Sequence, residues 1–165
     1  MPEEDFFLND QPIEKVATIK FLGMWVTSAG FRPYHMENKI LAAKAESNNL
    51  SKIGYMNKKL KVEAKGLLTQ SFIRSKLLYA AEIAGYPVSS IEKLQRCEGN
   101  IIERSLHLPK RSYTTPLYSA LGINSLEEAV QKRKICFVTQ LLSNDFTKQI
   151  LLLNRKHGVM KYCKL

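Results

Sequence analysis

Aspartate is scarce in this chain. The only three, Asp5, Asp10 and Asp145, are dispersed, whereas two-metal phosphoryl transfer needs carboxylates clustered around its cations. Histidine and cysteine are equally thin. His35, His107, His157, Cys97, Cys136 and Cys163 form no Cys-x-x-Cys and no His-x-x-x-His, so the ligand spacing of a zinc site is missing. An odd, scattered cysteine set also argues against a disulfide scaffold and for a reducing, intracellular compartment. There is no Walker loop and no Gly-x-Ser-x-Gly elbow. These gaps remove the common self-sufficient catalytic designs, so no catalytic residue, metal or cofactor is expected. Apolar runs stay short of the roughly eighteen residues a membrane span requires. With six prolines and eight glycines in 165 residues, turns are few and elements long, which favours helix.

What the chain does have is positive charge. The first fourteen residues hold five acids (Glu3, Glu4, Asp5, Asp10, Glu14) and no base, so residues 15–165 carry 25 bases against 10 acids, a net of +15. Such a body points to a polyanionic partner. A merely solvated, charge-solubilised surface is the plainer reading. The acidic N-terminus resembles neither a secretory signal nor an Arg-rich transit peptide.

The expected fold is mainly α: a small N-terminal β-hairpin followed by a bundle of about five to six helices. Residues 1–15 read as an acidic arm. Between Val16 and Thr27, Ile19, Phe21 and Trp25 alternate with Leu22, Met24 and Val26, a strand pattern. Gly23 in its middle suggests a bulge or a close backbone approach, and Ser28-Ala29-Gly30 a turn. A hairpin is therefore placed at 16–30, and helices over 31–88 and 89–165. The first helix runs from about Pro33 to Ile53, with Met36, Ile40, Ala43, Leu50 and Ile53 as its stripe and Gly54 as its stop.

The stretch Lys61 to Ala84 predicts one long helix of about 36 Å. Its apolar or small stripe is Ala64, Leu67, Leu68, Ser71, Phe72, Ser75, Leu78 and Tyr79, with Lys61, Lys65, Arg74 and Lys76 off that stripe. Ser89 to Glu92 reads as a capping box opening a helix with Ile91, Leu94, Ile101, Ile102 and Leu106 inside. Thr115 as N-cap before Pro116 starts a short helix that Gly122 ends. Ser125 to Glu128 is a second capping box. The helix after it carries Leu126, Val130, Phe137 and Leu141 inside, and the apolar run Ile150 to Leu153 precedes a basic tail.

Candidate nucleic-acid contacts follow from the cations. Lys58, Lys59, Lys61 and Lys65 form one cluster. Lys110 and Arg111, with the hydroxyls of Ser112, Tyr113, Thr114 and Thr115, precede a helix N-terminus, where free N–H groups and cations together suit a phosphate; ordinary turn chemistry with a cap is the alternative. Lys132, Arg133 and Lys134 form a third cluster. Arg96 and Arg104 lie on an outer helix face, and Arg155 and Lys156 lead a tail that also holds His157, Lys161 and Lys164. Tyr34, Tyr55, Tyr113 and Tyr118 are candidates to stack on bases, and Tyr79 reads as core.

The order of segments resembles the end of a LINE-type, non-LTR retrotransposon reverse transcriptase. IKFLGMWVTSAG (19–30) is similar to the Tyr-Leu-Gly strand-turn segment that closes the palm. A Lys-rich helix ending in KIG (52–54) follows. LLTQSFIRSKLLYAAEIAGY (67–86) is similar to the thumb helix written around Leu-Ile-Arg-x-x-Leu-x-Tyr-Gly, and residues 91–142 resemble the region after it, including its Leu-Pro-Lys-Arg segment. The likeness spans 16 to 142. Phe21 stands where the family has Tyr, and Ala80 where it has Gly. The fingers, the catalytic palm and the Cys/His knuckle have no counterpart.

The resemblance implies a thumb-like bundle that grips nucleic acid and performs no chemistry. Phe21, Leu22 and Gly23 would match the primer-grip turn, and Lys110 and Arg111 the basic loop. Without a palm, Trp25 or Phe21 would meet another protein. The expected function is thus a non-catalytic RNA-binding protein in a large ribonucleoprotein such as a ribosome. The expected partners are structured RNA, through its backbone, and neighbouring proteins; a mitochondrial setting is favoured over nucleus or cytoplasm. The alternatives are a structural subunit of a protein complex, or a piece of a split reverse transcriptase whose palm lies on another chain.

Overall fold

A computed structural model describes residues 7–9, 11–27 and 32–156, of which 32, 33 and 151–156 are described as backbone only. Residues 1–6 and 10 of the acidic arm, the Ser28–Gly30 turn and the tail beyond Lys156 lie outside the described residues. Two short antiparallel ladders come first. β1 (Phe7–Leu8) pairs with β2 (Gln11–Pro12), within the segment read as an arm. β3 (Thr18–Phe21) pairs with β4 (Met24–Thr27), setting Ile19 opposite Val26 and Lys20 opposite Trp25. The two residues between β3 and β4, Leu22 (φ 47°) and Gly23 (φ 75°), are both left-handed. That is the tight turn whose twist matches a hairpin. Gly23 therefore sits at the hairpin's tip and makes no bulge. The close approach also expected of it is real: a Cβ there would lie 3.1 Å from the Tyr79 hydroxyl.

The rest is helical, and the chain as a whole is mainly α with a small N-terminal hairpin region. α1 (Arg32–Lys52) buries Met36, Ala43 and Leu50. It ends at Gly54 (φ 99°), with Tyr55 N–H donating to the Leu50 carbonyl (3.0 Å) and Gly54 N–H to Ser51 (3.2 Å). This paired arrangement closes a helix when the residue after it turns left-handed. Ile53, expected on the buried stripe, lies past the helix end and is exposed.

The long helix expected over Lys61–Ala84 is not one element. α2 (Val62–Leu68) runs into a π-helical segment (Thr69–Ile73) and then α3 (Arg74–Leu77). The chain then breaks over Leu78–Ala80 before α4 (Ala81–Ala84), because Ala80 takes φ +61°, ψ 16°. The buried face is rotated from the expected stripe as well. Leu67, Phe72 and Tyr79 are exposed, while Lys65, Thr69, Ile73, Arg74 and Leu77 are inside. Gly66 fixes this orientation: a Cβ there would sit 2.1 Å from the Leu121 carbonyl oxygen, so the backbones touch on this side and on no wider side chain.

α5 (Val88–Leu106) buries Ile91, Leu94, Ile101 and Ile102 as its spacing predicts. Its start differs. Pro87 holds the cap position with no side-chain cap, so Ser89 is already inside the first turn and Glu92 faces Arg96 at 3.7 Å. α5 ends on His107, left-handed at φ 57°, with the same paired closure (Leu108 N–H to Glu103 carbonyl, 2.9 Å). α6 (Thr114–Ala120) begins one residue before the expected cap, and Gly122 (φ 65°) closes it. α7 (Leu126–Ser143) opens on Ser125 and Glu128 with both halves of the capping box formed. Asn144 accepts from Phe146 and Thr147 N–H to start α8 (Asp145–Lys156).

The main core joins α1, the π-helical segment, α3, α4, α5 and the first turn of α7. A smaller cluster, Ile102, Tyr118, Leu121 and Ile123, lies under α6.

Candidate nucleic-acid interface

Three chain segments far apart in sequence meet at the C-terminal end of α5. His107 Nε2 donates to the Met56 carbonyl at 2.7 Å, which ties the loop after α1 to that end. The loop carries Lys58, Lys59 and Lys61, all exposed. It is braced by Asn57, whose Oδ1 accepts from Lys59 N–H at 2.9 Å. On the other side, buried Glu103 accepts from the Arg111 backbone N–H at 3.2 Å, and Ser112 Oγ donates to the Pro109 carbonyl at 2.7 Å. These bonds hold the 108–113 loop so that Lys110 and Arg111 are exposed beside Arg104. Six cations without an ion-pair partner among the described residues thus share one end of the bundle. It is also the negative end of the α5 dipole, where positive side chains are favoured. Tyr113, in the same loop, is 89% exposed and offers a stacking face. Tyr55 and Tyr118 are buried, so they are removed from the stacking candidates.

Lys65, expected in the surface cluster, is instead buried at 2% exposure. Its ammonium donates to the Ser105 carbonyl, filling an acceptor that the last turn of α5 leaves open. Burial lowers its pKa. Arg74, read as lying off the apolar face, is also inside. Its Nε and Nη2 bond both oxygens of Glu98 at 2.7 and 2.9 Å, and the guanidinium lies 5.7 Å from the Tyr118 ring. Thr69 Oγ1 donates to the Lys65 carbonyl (2.8 Å) and so receives its bond from Tyr55 (2.7 Å). A polar seam therefore runs along α2, the π-helical segment and α3. Burial first, then the Glu98 carboxylate, drives the Tyr118 hydroxyl far above its ordinary range.

The remaining cations stand apart. Lys132 and Arg133 border a cleft on α7, where Arg133 Nη1 donates to the Leu78 carbonyl (3.0 Å), and Lys134 is half-buried. Arg96 is exposed next to Glu92. The side chains of Arg155 and Lys156 lie outside the described residues.

The tip Phe21-Leu22-Gly23 is fastened to the helix break. Tyr79 Oη donates to the Leu22 carbonyl at 2.7 Å, and Lys39 stands 4.2 Å over the Tyr79 ring. The Trp25 backbone N–H donates to His35 Nδ1 (3.4 Å), which leaves Nε2 to donate to the Tyr79 carbonyl (3.4 Å). Burial first, and the Lys39 charge second, lower the pKa of His35 and keep it neutral in this bridge. Tyr79 is thus a surface clamp with 45% exposure, and Phe21 and Leu22 are 61% and 72% exposed. Sequence reasoning missed His107 and Tyr79 as joints. For Tyr79 no local signal was available, because the alanine that follows it gives no sign in the sequence of its left-handed turn.

Among the described residues no group of three metal-ligating side chains comes together, and no helix is long and apolar enough to cross a membrane. Comparison with family models, curated proteins and solved structures gives no match.

Proposed function

We propose that this chain is a non-catalytic RNA-binding module that grips the phosphate backbone of a structured RNA with its basic end. The observation that carries this reading is the His107–Met56 bond, which gathers Lys58, Lys59, Lys61, Arg104, Lys110 and Arg111 onto one end of the fold. Two loops held by hydrogen bonds, one of them to the buried Glu103 carboxylate, keep these cations from wandering, and the backbone of RNA presents phosphates to such an array without regard to sequence. The resemblance to a retrotransposon reverse-transcriptase thumb supports the same role, as does the net charge of +15 beyond the acidic arm. The setting we favour is a large ribonucleoprotein such as a mitochondrial ribosome.

A folded RNA hairpin titrated at several salt concentrations tests this. The logarithm of affinity should fall steeply and linearly with that of salt, by about 0.7–0.9 per phosphate neutralised. Exchanging Lys58, Lys59, Lys110 and Arg111 for Ala should flatten the slope by about 3. Salt-independent retention would defeat the reading.

A second reading, a structural subunit that meets protein, draws on the exposed apolar side chains Phe7, Leu8, Ile19, Phe21 and Leu22 of the two ladders. It is preferred if the quadruple exchange leaves RNA affinity unchanged.

A further inference from the structure

The cations of α7 border a cleft of about 420 Å³, a size typical of small-ligand sites. Three departures from regular backbone meet in its wall. Gln70 belongs to the π-helical segment, Leu78 opens the helix break, and Asn124 follows the left-handed Gly122 turn. π-helical turns and left-handed breaks cost energy that regular helix would not, and they gather where side chains must be aimed.

The cleft's chemistry is specific. Gln70, Asn124 and Gln140 bring three side-chain amides to it, all exposed. Among the described residues none of the three amide side chains has a hydrogen-bond partner. Each amide offers a donor and an acceptor in one plane, the complement of a nucleobase edge. Lys132 and Arg133 supply positive charge. Arg74 also reaches the wall, but its charge is spent on Glu98. Glu82, the one carboxylate in the wall among the described residues, offsets part of the rest. The balance is about one net positive charge, which suits a single phosphate better than a polyphosphate, and the three amides offer hydrogen bonds that a bare anion would leave unused.

We propose that this cleft binds one nucleoside monophosphate unit, its phosphate on Lys132 and Arg133 and its base edge on the amides of Gln70, Asn124 and Gln140. The unit is either a free nucleotide or an unpaired residue of a single strand. The proposal extends RNA binding to a second site and does not depend on the basic end.

Cys136 is in the wall and exposed, whereas Cys97 is buried. Alkylation of Cys136 by iodoacetamide, followed by peptide mapping, therefore reports occupancy. Each nucleoside 5′-monophosphate, a short unstructured oligoribonucleotide and inorganic phosphate are the probes. At about nine times its dissociation constant, a bound nucleotide should slow alkylation about tenfold, and inorganic phosphate should not. Protection by free nucleotides but not by the strand identifies a free ligand; protection by the strand alone identifies an RNA residue. Gln140→Ala and Lys132→Ala, both at exposed positions, should each demand several-fold more nucleotide for equal protection, with unchanged circular dichroism. The Lys58→Ala/Lys110→Ala variant should keep full protection while its RNA-hairpin binding weakens, which separates this site from the basic end. Unchanged Cys136 reactivity with every nucleotide and strand, or equal slowing by inorganic phosphate, overturns the proposal.

Discussion

Lys65 and Arg74 are inside the bundle; Lys58, Lys59, Lys110 and Arg111 are on its end. The two sets are alike in chemistry, and Lys65 is four residues from Lys61. What separates them is the supply of acceptors. Burying a charge costs several kcal/mol unless bonds replace its water, and Lys65 has the Ser105 carbonyl and Arg74 both oxygens of Glu98. Among the described residues the outer cations face no such partner, and they are exposed to water. They cost the fold little and remain available to an incoming phosphate. A basic cluster in a sequence is thus two populations, and only partners distant in the chain sort them.

The sharpest way to break this contrast is at Arg74. Arg74→Ala should lower unfolding stability by about 3–5 kcal/mol, since it strands the buried Glu98 charge. The measure is the urea midpoint. Pairing Arg74→Met with Glu98→Leu should recover most of that loss; a cost under about 1 kcal/mol for the single change would show that the pair is not desolvated. The outer set should behave oppositely. The quadruple Ala exchange at Lys58, Lys59, Lys110 and Arg111 should move stability by about 0.5 kcal/mol or less per site, read in the same urea titration.

The contrast sharpens further at the hairpin joint. Tyr79→Phe removes the bond to the Leu22 carbonyl and should loosen the tip by about 1 kcal/mol, seen as faster amide exchange at Ile19 and Val26 and a shift in Trp25 emission. Acid should act on the same joint. Because the folded-state pKa of His35 lies below its ordinary 6.5, the unfolded chain takes up the proton more readily. Stability from neutral His35 is therefore complete above pH 6.5 and is lost as pH falls below it toward the folded value. The Lys39 charge adds to that penalty, and Lys20 and Lys76 crowd Lys39 in turn. Trp25 emission followed downward from pH 8 should report this loss, and His35→Asn should flatten the response. The smallest effect is a gain: Ala80→Gly relieves a left-handed alanine and should add up to about 1 kcal/mol.

The elements that local signals dictate were readable in the sequence. The Ser125–Glu128 box, the Gly54 and Gly122 closures and the α5 stripe need only residues within one or two turns of each other. The parts that escaped depend on distant partners. Arg74 meets Glu98 24 positions away, Lys65 meets Ser105 40 away, and His107 meets Met56 51 away. Nothing in Leu-Leu-Tyr-Ala-Ala announces a helix break, because alanine is the best helix former and its left-handed turn is forced by what packs around it. The basic end was legible as exposed charge at Lys58, Lys59, Lys110 and Arg111, but not as a single surface, since the joint that unites it is a histidine in a place glycine usually fills.

The buried ammonium of Lys65 has a use at the bench. An acylating reagent can reach the outer lysines of the native protein at once, whereas this amine is shielded under the Ser105 carbonyl. It can react only when the end of α5 lifts away. The rate at which Lys65 gains its acyl group, set against that of Lys58 or Lys59 in the same tube, is a built-in stopwatch for that opening.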